Sequence, residues 1–171
     1  MSFTTGLAAL ALSLSELVPD LGEPVAVQRR LEYRLSAEVQ WSVLCYLDLE
    51  TIIPDRNGEP AATVVDYKVK ATPFTQAPAD QDTQPGLYLA GRWLHGDPAR
   101  LFTFAQIAKP GPRRREMKTA LVTTTRTPGQ LRGARARIAQ AARLISAYYE
   151  RLGPNEPWPF ADPASWKCQP R

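Results

Sequence analysis

The sequence predicts an α/β fold, a mixed central β-sheet flanked by α-helices, in one domain over residues 1–153 followed by a short tail. Three observations predict it. Stretches rich in Val, Leu, Thr and aromatic residues alternate with segments of helical periodicity. The order read from them is α-βββ-α-ββ-α, which suits a sheet with helices packed on it rather than a doubly wound parallel fold. The length of 171 residues suits one domain able to bury a sizeable core.

The first element reads as a short amphipathic helix. Leu7, Leu10, Leu14 and Leu17 fall on one helical face. No Lys or Arg precedes the apolar segment and Glu16 interrupts it, so it reads as a packing helix rather than a secretion signal. Pro19, Gly22 and Pro24 then mark a loop. Residues 25–35 read as a strand, and Val39 to Leu49 as a stronger one. Asp55-Arg56-Asn57-Gly58 is a turn signature, so Ala61 to Lys68 returns as the hairpin partner and completes an antiparallel meander.

Residues 71–82 are polar and contain proline, and read as a loop. Thr83-Gln84-Pro85 opens a helix running to about His95, since Pro is tolerated in a first turn. Leu101 to Ala108 is a strand, 109–115 a basic turn, and Met117 to Thr125 another strand. Thr127-Pro128 opens a long helix whose apolar face is Leu131, Ile138, Ala142, Ile145 and Tyr149, ended by Gly153-Pro154. Residues 154–171 form a Pro- and Trp-rich tail without periodicity.

Composition narrows the function classes. No apolar stretch is long enough to span a bilayer, and two cysteines, Cys45 and Cys168, make no disulfide framework. A reducing, cytoplasmic setting fits. The net charge of +4 hides an asymmetry: residues 1–90 carry −6 and residues 91–151 carry +10. An acidic half beside a basic half suits a protein that holds metal with one part and a polyanion with the other, and equally a solvated basic helix face.

The chemistry concentrates in two runs that read as strands ending on a carboxylate, Val43-Leu44-Cys45-Tyr46-Leu47-Asp48 and Thr63-Val64-Val65-Asp66-Tyr67-Lys68. A carboxylate is costly to desolvate without a partner. On adjacent strands, Asp48 and Asp66 would converge on a hard divalent cation, Mg²⁺ or Mn²⁺, which accepts two carboxylates plus waters and phosphate oxygens. Lys68 shares a strand face with Asp66. Its ammonium suits an attacking water or a charged transition state, and equally an ordinary Asp–Lys pair at a sheet edge. The backbone carbonyl of Tyr67 is a further candidate ligand. Gln84 and Tyr88 are four apart on the next helix and share a face. Arg113, Arg114, Arg115 and Lys118 are candidate phosphate contacts.

These motifs, taken in order as Cys45-Tyr46-Leu47-Asp48, Asp66-Tyr67-Lys68 and Gln84-Pro85-Gly86-Leu87-Tyr88, resemble the RecB-like branch of the PD-(D/E)XK nucleases. That branch includes the RecB and AddB nuclease domains and CRISPR-associated RecB-like exonucleases. The resemblance covers most of the chain, from about residue 23 onward. It implies a restriction-endonuclease-like core and a metal-dependent deoxyribonuclease, an exonuclease acting on single-stranded or end-frayed DNA. It implies catalytic roles for Asp48, Asp66, Lys68, Gln84 and Tyr88. It also implies a protein partner of a recombination, repair or CRISPR-type complex, or a phage or mobile-element setting. The alternative it leaves open is a weakened nuclease-fold module that binds nucleic acid or such a complex.

Four departures accompany the resemblance. Cys45 stands where the pattern has glycine. Gln28 stands where the family often has a first-strand Glu. The chain's only histidine is His95, with none upstream of the first strand. The tail from Trp158 resembles one that commonly supplies three cysteines to a [4Fe–4S] cluster, but carries Cys168 alone. Four thiolates are needed, so the resemblance implies that this chain does not complete the cluster, as in a shortened product or one that has lost it.

Overall fold

The computed structural model describes residues 11, 13–72, 75–110 and 116–152. A π-helical turn, Ser13–Leu17, runs into a single α-turn, α1 (Val18–Leu21). There follow β1 (Pro24–Ser36), β2 (Val39–Pro54), β3 (Pro60–Lys70), α2 (Gln76–Gln81), α3 (Thr83–Leu94), β4 (Leu101–Ala108), β5 (Lys118–Thr124) and α4 (Pro128–Leu152). Among the described residues the strands form one sheet in the order β1-β2-β3-β4-β5. β3 and β4 are parallel and the other neighbours antiparallel, so the sheet is mixed, as expected. No described helix is long and apolar enough to cross a membrane.

Helices cover the two faces unequally. On one face Leu31, Tyr33, Cys45, Leu47, Val64, Phe102 and Phe104 pack with Leu89 and Ala90 of α3 and Leu131 of α4. On the other, Leu17 and Leu21 cover Leu49, Val65, Ala105 and Ile107. β4 is buried along its whole length, which explains why it is apolar on both sides apart from Thr103 and Gln106. Close approach fixes α3 against β1. A Cβ on Gly91 would overlap the side chains of Leu31 and Tyr33, and Tyr33 Oη donates to the Leu87 carbonyl at 2.8 Å. α4 opens with a reciprocal capping box. Gln130 N–H donates to Thr127 Oγ1 at 3.2 Å and Thr127 N–H to Gln130 Oε1 at 2.8 Å.

The structure corrects four sequence expectations. Asp48 and Asp66 do not end their strands: β2 runs on to Pro54 and β3 to Lys70. The loop expected over 71–82 contains α2, whose Asp80 accepts from Gln76 of the same helix and from Thr124 of β5. The loop expected from Pro19 begins later, because Pro19 sits in the first turn of α1, where its missing N–H costs nothing, and the chain turns at Gly22 with φ +66°. On α4 Leu131, Ile138 and Ala142 face the core as expected, joined by Ala134 and Ala139, whereas Tyr149 is exposed. The tail beyond Leu152, with Cys168, lies outside the described residues, as do Leu7 and Leu10.

Sequence reading missed a buried ion network. Glu50 of β2 and Arg92 of α3 are 4% and 5% exposed and form a direct ion pair. Arg29 of β1 reaches Glu50 Oε2 at 3.1 Å, and Asp97 reaches Arg92 Nη2 at 2.7 Å. Breaking a buried pair strands the remaining charge in low dielectric. Glu50→Ala is therefore expected to cost about 3–5 kcal/mol in urea unfolding. Joint replacement of Glu50 and Arg92 by Leu and Met is expected to recover most of it, and a single variant as stable as the native chain would contradict this.

Candidate active site

The site is built at a fork in the sheet. β2 pairs with β3 from Pro54↔Pro60 to Leu49↔Val65 and no further. Beyond that point β2 continues beside β1 only, and β3 continues beside β4 only. Asp48 is the first residue of β2 past the last rung, and Asp66 the first of β3. The root of the fork is closed by a side chain: Tyr67 N–H donates to Asp48 Oδ2 at 2.9 Å. A strand N–H that has lost its ladder carbonyl needs another acceptor, and the carboxylate supplies it.

The backbone bends at the same level. Leu47 packs on the α3–α4 face and Leu49 on the α1 face, although two residues in a regular strand share a side. Across the β1–β2 ladder, between the Val27↔Leu49 and Arg29↔Leu47 pairs, Gln28 has φ +51°. A non-glycine residue in that region marks a local irregularity. Gln28 is thus a neighbour of Asp48 by register.

Asp66 is the most buried carboxylate of the fork, 5% exposed. Gln84 Nε2, from the first turn of α3, donates to its Oδ1 at 2.5 Å. Lys68 Nζ forms an ion pair with Oδ2 at 2.6 Å. Burial pushes the Asp66 carboxyl up from its ordinary range. The Lys68 contact and charge oppose this, the nearby Asp48 charge adds to it, and the Gln84 bond opposes it.

Helix α3 delivers its residues by local design. Asp82 caps it, accepting from Gln84 N–H at 2.8 Å, which sets the backbone of Gln84 in the first turn. Tyr88, one turn on, meets the Gln84 amide and stacks edge-on against Phe102 at 5.8 Å, and burial pushes its phenol up.

The structure therefore brings Asp48, Asp66, Lys68, Gln84 and Tyr88 to one fork. Lys118 lies elsewhere, on β5 at the level of Ala108 and, one strand further, Lys70. Arg113, Arg114 and Arg115 are outside the described residues. His95 caps the C-terminus of α3 and its ring bonds the Glu32 carbonyl at 2.9 Å. Cys45 sits in the core, and burial pushes its thiol up to about 11, the reverse of what a thiolate ligand needs.

Among the described residues no three His, Cys, Asp or Glu side chains gather as a ligand set. A cation here would rest on two carboxylates and on oxygens from backbone, water or phosphate. The donor set suits a hard divalent ion on that basis. It is all oxygen, and Asp66 Oδ2 is a buried carboxylate oxygen whose positive neighbour is the Lys68 ammonium.

One solved structure, a candidate exonuclease from Eubacterium rectale, superposes with a TM-score of 0.56 at 14% sequence identity, over 97% of this chain and 59% of that one. At that identity the likeness concerns the fold alone, and this chain spans little more than half the other's length. No family model matches the chain, and no curated protein matches it by sequence.

The raised Asp66 carboxyl gives a signed prediction. A carboxylate whose folded pKa lies above its unfolded one penalises the fold above that pKa, and the penalty lifts as pH falls through it. Asp66→Asn is expected to melt above the native chain at about pH 8, with the gap closing toward acid. Melts followed by circular dichroism would show this, and a variant less stable at every pH would contradict it.

Proposed function

We propose that this chain is a divalent-metal-dependent deoxyribonuclease of the PD-(D/E)XK type, in its RecB-like branch, hydrolysing phosphodiester bonds of single-stranded or end-frayed DNA. The observation that carries the reading is the fork, where two carboxylates, a lysine and a glutamine from three elements meet at the point where two strands part. An ordinary Asp–Lys pair at a sheet edge needs neither the second carboxylate nor the glutamine.

In this reading Asp48 and Asp66, with the Tyr67 carbonyl, hold Mg²⁺ or Mn²⁺. When bound, the ion supplies Lewis acidity toward the scissile phosphate and makes water a better nucleophile near neutral pH. The chain's own groups do the rest. Gln84 fixes Asp66 through Oδ1, so that Oδ2 keeps one orientation. Lys68 is held beside that oxygen, where its ammonium orients the attacking water and offsets the charge that builds on the phosphoryl oxygens. Tyr88 positions Gln84. Lys118 and the arginines at 113–115 are assigned to phosphate contacts away from the reacting bond. A [4Fe–4S] cluster has no place in this reading, since Cys45 is a core residue and one thiol remains.

The test is cleavage of end-labelled single-stranded DNA with Mn²⁺. Lys68→Ala and Asp66→Asn are each expected to lower the single-turnover rate by roughly 100-fold or more, the size found for removing one charge-stabilising group. Gln84→Ala is expected to lower it by roughly tenfold, the loss of a positioning contact, with Mn²⁺ binding by calorimetry weakened in parallel. No cleavage by the native chain, or undiminished cleavage by Lys68→Ala, would sink the reading.

A further inference from the structure

The two arms of the fork carry exposed aromatic and aliphatic side chains that the chemistry above does not use. On the β2 arm Tyr46 is 55% exposed and Leu44 51%, and on the β3 arm Tyr67 is 37% and Val69 41%. All four point to the same side of the sheet. Cys45 and Leu47 pack with Val64 under α3 and α4, so Leu44 and Tyr46 face the other way, as do Tyr67 and Val69, which share the side of Val65. Among the described residues, Leu17 and Leu21 cover this side over Leu49, Val65, Ala105 and Ile107.

Along β1 this face also carries two arginines to one glutamate. The rungs Arg30↔Tyr46, Glu32↔Leu44 and Arg34↔Ser42 place two guanidinium groups beside Tyr46 and Leu44. Glu32, the acid on those rungs, is paired with Arg30. Arg34 is exposed. Tyr46 lies two residues before Asp48, and Asp48 lines one small cavity with Tyr67, so the face meets the fork at Asp48, while Asp66 and Lys68 project from the opposite side of β3.

We propose that this face is a cradle for a single strand of nucleic acid. Bases stack on Tyr46 and Tyr67, Leu44 and Val69 flank them, and Arg30 and Arg34 meet the phosphates. This rests on the nuclease reading for its orientation: the strand leads along the β1–β2 arm to the scissile phosphate between Asp48 and Asp66. The discrimination follows from chemistry. A single strand offers free base faces to an exposed phenol ring, whereas a duplex keeps those faces inside its own stack. The flanking arginines favour a polyanion over an apolar protein partner.

The test is binding without turnover: fluorescence anisotropy of a labelled oligothymidine of about twenty nucleotides with EDTA present. The native chain is expected to bind it at least about tenfold more tightly than a matched duplex. Tyr46→Ala and Tyr67→Ala are each expected to weaken single-strand binding by roughly 5- to 100-fold, the range for loss of one stacked base, while Tyr46→Phe retains it. An RNA strand bound with the same tyrosine dependence supports the same cradle. Affinity indifferent to both alanine substitutions, or a duplex bound as tightly, overturns it. So does concentration-dependent self-association that Tyr46→Ala abolishes while leaving oligonucleotide affinity intact, which would make the face a contact between two copies. Metal-dependent hydrolysis of a small phosphodiester by the native chain reports separately on catalysis. Hydrolysis with tyrosine-independent binding removes the cradle alone, and tyrosine-dependent binding without hydrolysis removes the catalytic reading alone.

Discussion

The hydrogen bond from the Tyr67 N–H to the Asp48 carboxylate determines what the sheet does at its most consequential point. In a regular ladder that N–H would bond a carbonyl of β2, and the two strands would continue as neighbours. With a side-chain oxygen there instead, the ladder ends without leaving the donor unsatisfied. β2 is then free to follow β1 and β3 to follow β4. The bend at Leu47–Leu49 and the positive φ of Gln28 sit at the same level, so both strands of the β1–β2 arm deform where the fork opens.

A fork lined by carboxylates needs its walls held, because like charges repel across it and burial penalises Asp66. Helix α3 does the holding. Its first turn is fixed by Asp82 and bonds Asp66 through Gln84. Its middle is fixed by Tyr33 and by the tight packing at Gly91. Its last turn is fixed by the Arg92–Glu50 pair. Glu50 lies only two residues beyond Asp48 on β2. The ion network and the fork are therefore parts of one rigid connection: the strand that carries one carboxylate is tied to the helix that orients the other.

What the sequence revealed, and what it hid, follows from this. Apolar runs and the Asp55–Gly58 turn make the meander legible, since Asp55 Oδ1 accepts from the Asn57 and Glu59 N–H groups as such a turn requires. The pairing of Gln84 with Asp66 was legible only through a resemblance in the order of motifs, because nothing local links residues eighteen positions apart. The fork was misread as two strand ends. A carboxylate after an apolar run looks like a terminus when its partner is a backbone N–H on another strand. α2 was hidden because Pro78 and its acidic neighbours look like loop chemistry, while its stability comes from contacts to β5. The Glu50–Arg92 pair left a faint signal, an acid inside the run Leu49–Ile53, but its basic partner is on a distant helix.

On the nuclease reading the committed oxygens limit what the site can do unaided. Asp48 spends Oδ2 on the Tyr67 N–H, and Asp66 spends Oδ1 on Gln84. Asp48 then keeps Oδ1 for a cation, and Asp66 keeps Oδ2, which a cation would share with the Lys68 ammonium. With the Tyr67 carbonyl, that accounts for about half of an octahedral shell. A third carboxylate beside Asp48 would raise the protein's share, but the residue at that register is Gln28, which brings no charge. On that reading the remaining positions would fall to water and to phosphate oxygens, and a hard cation would bind most tightly with a phosphodiester already in the fork. The constraint that opens the sheet at Asp48 would then be the same one that keeps such a centre incomplete without substrate.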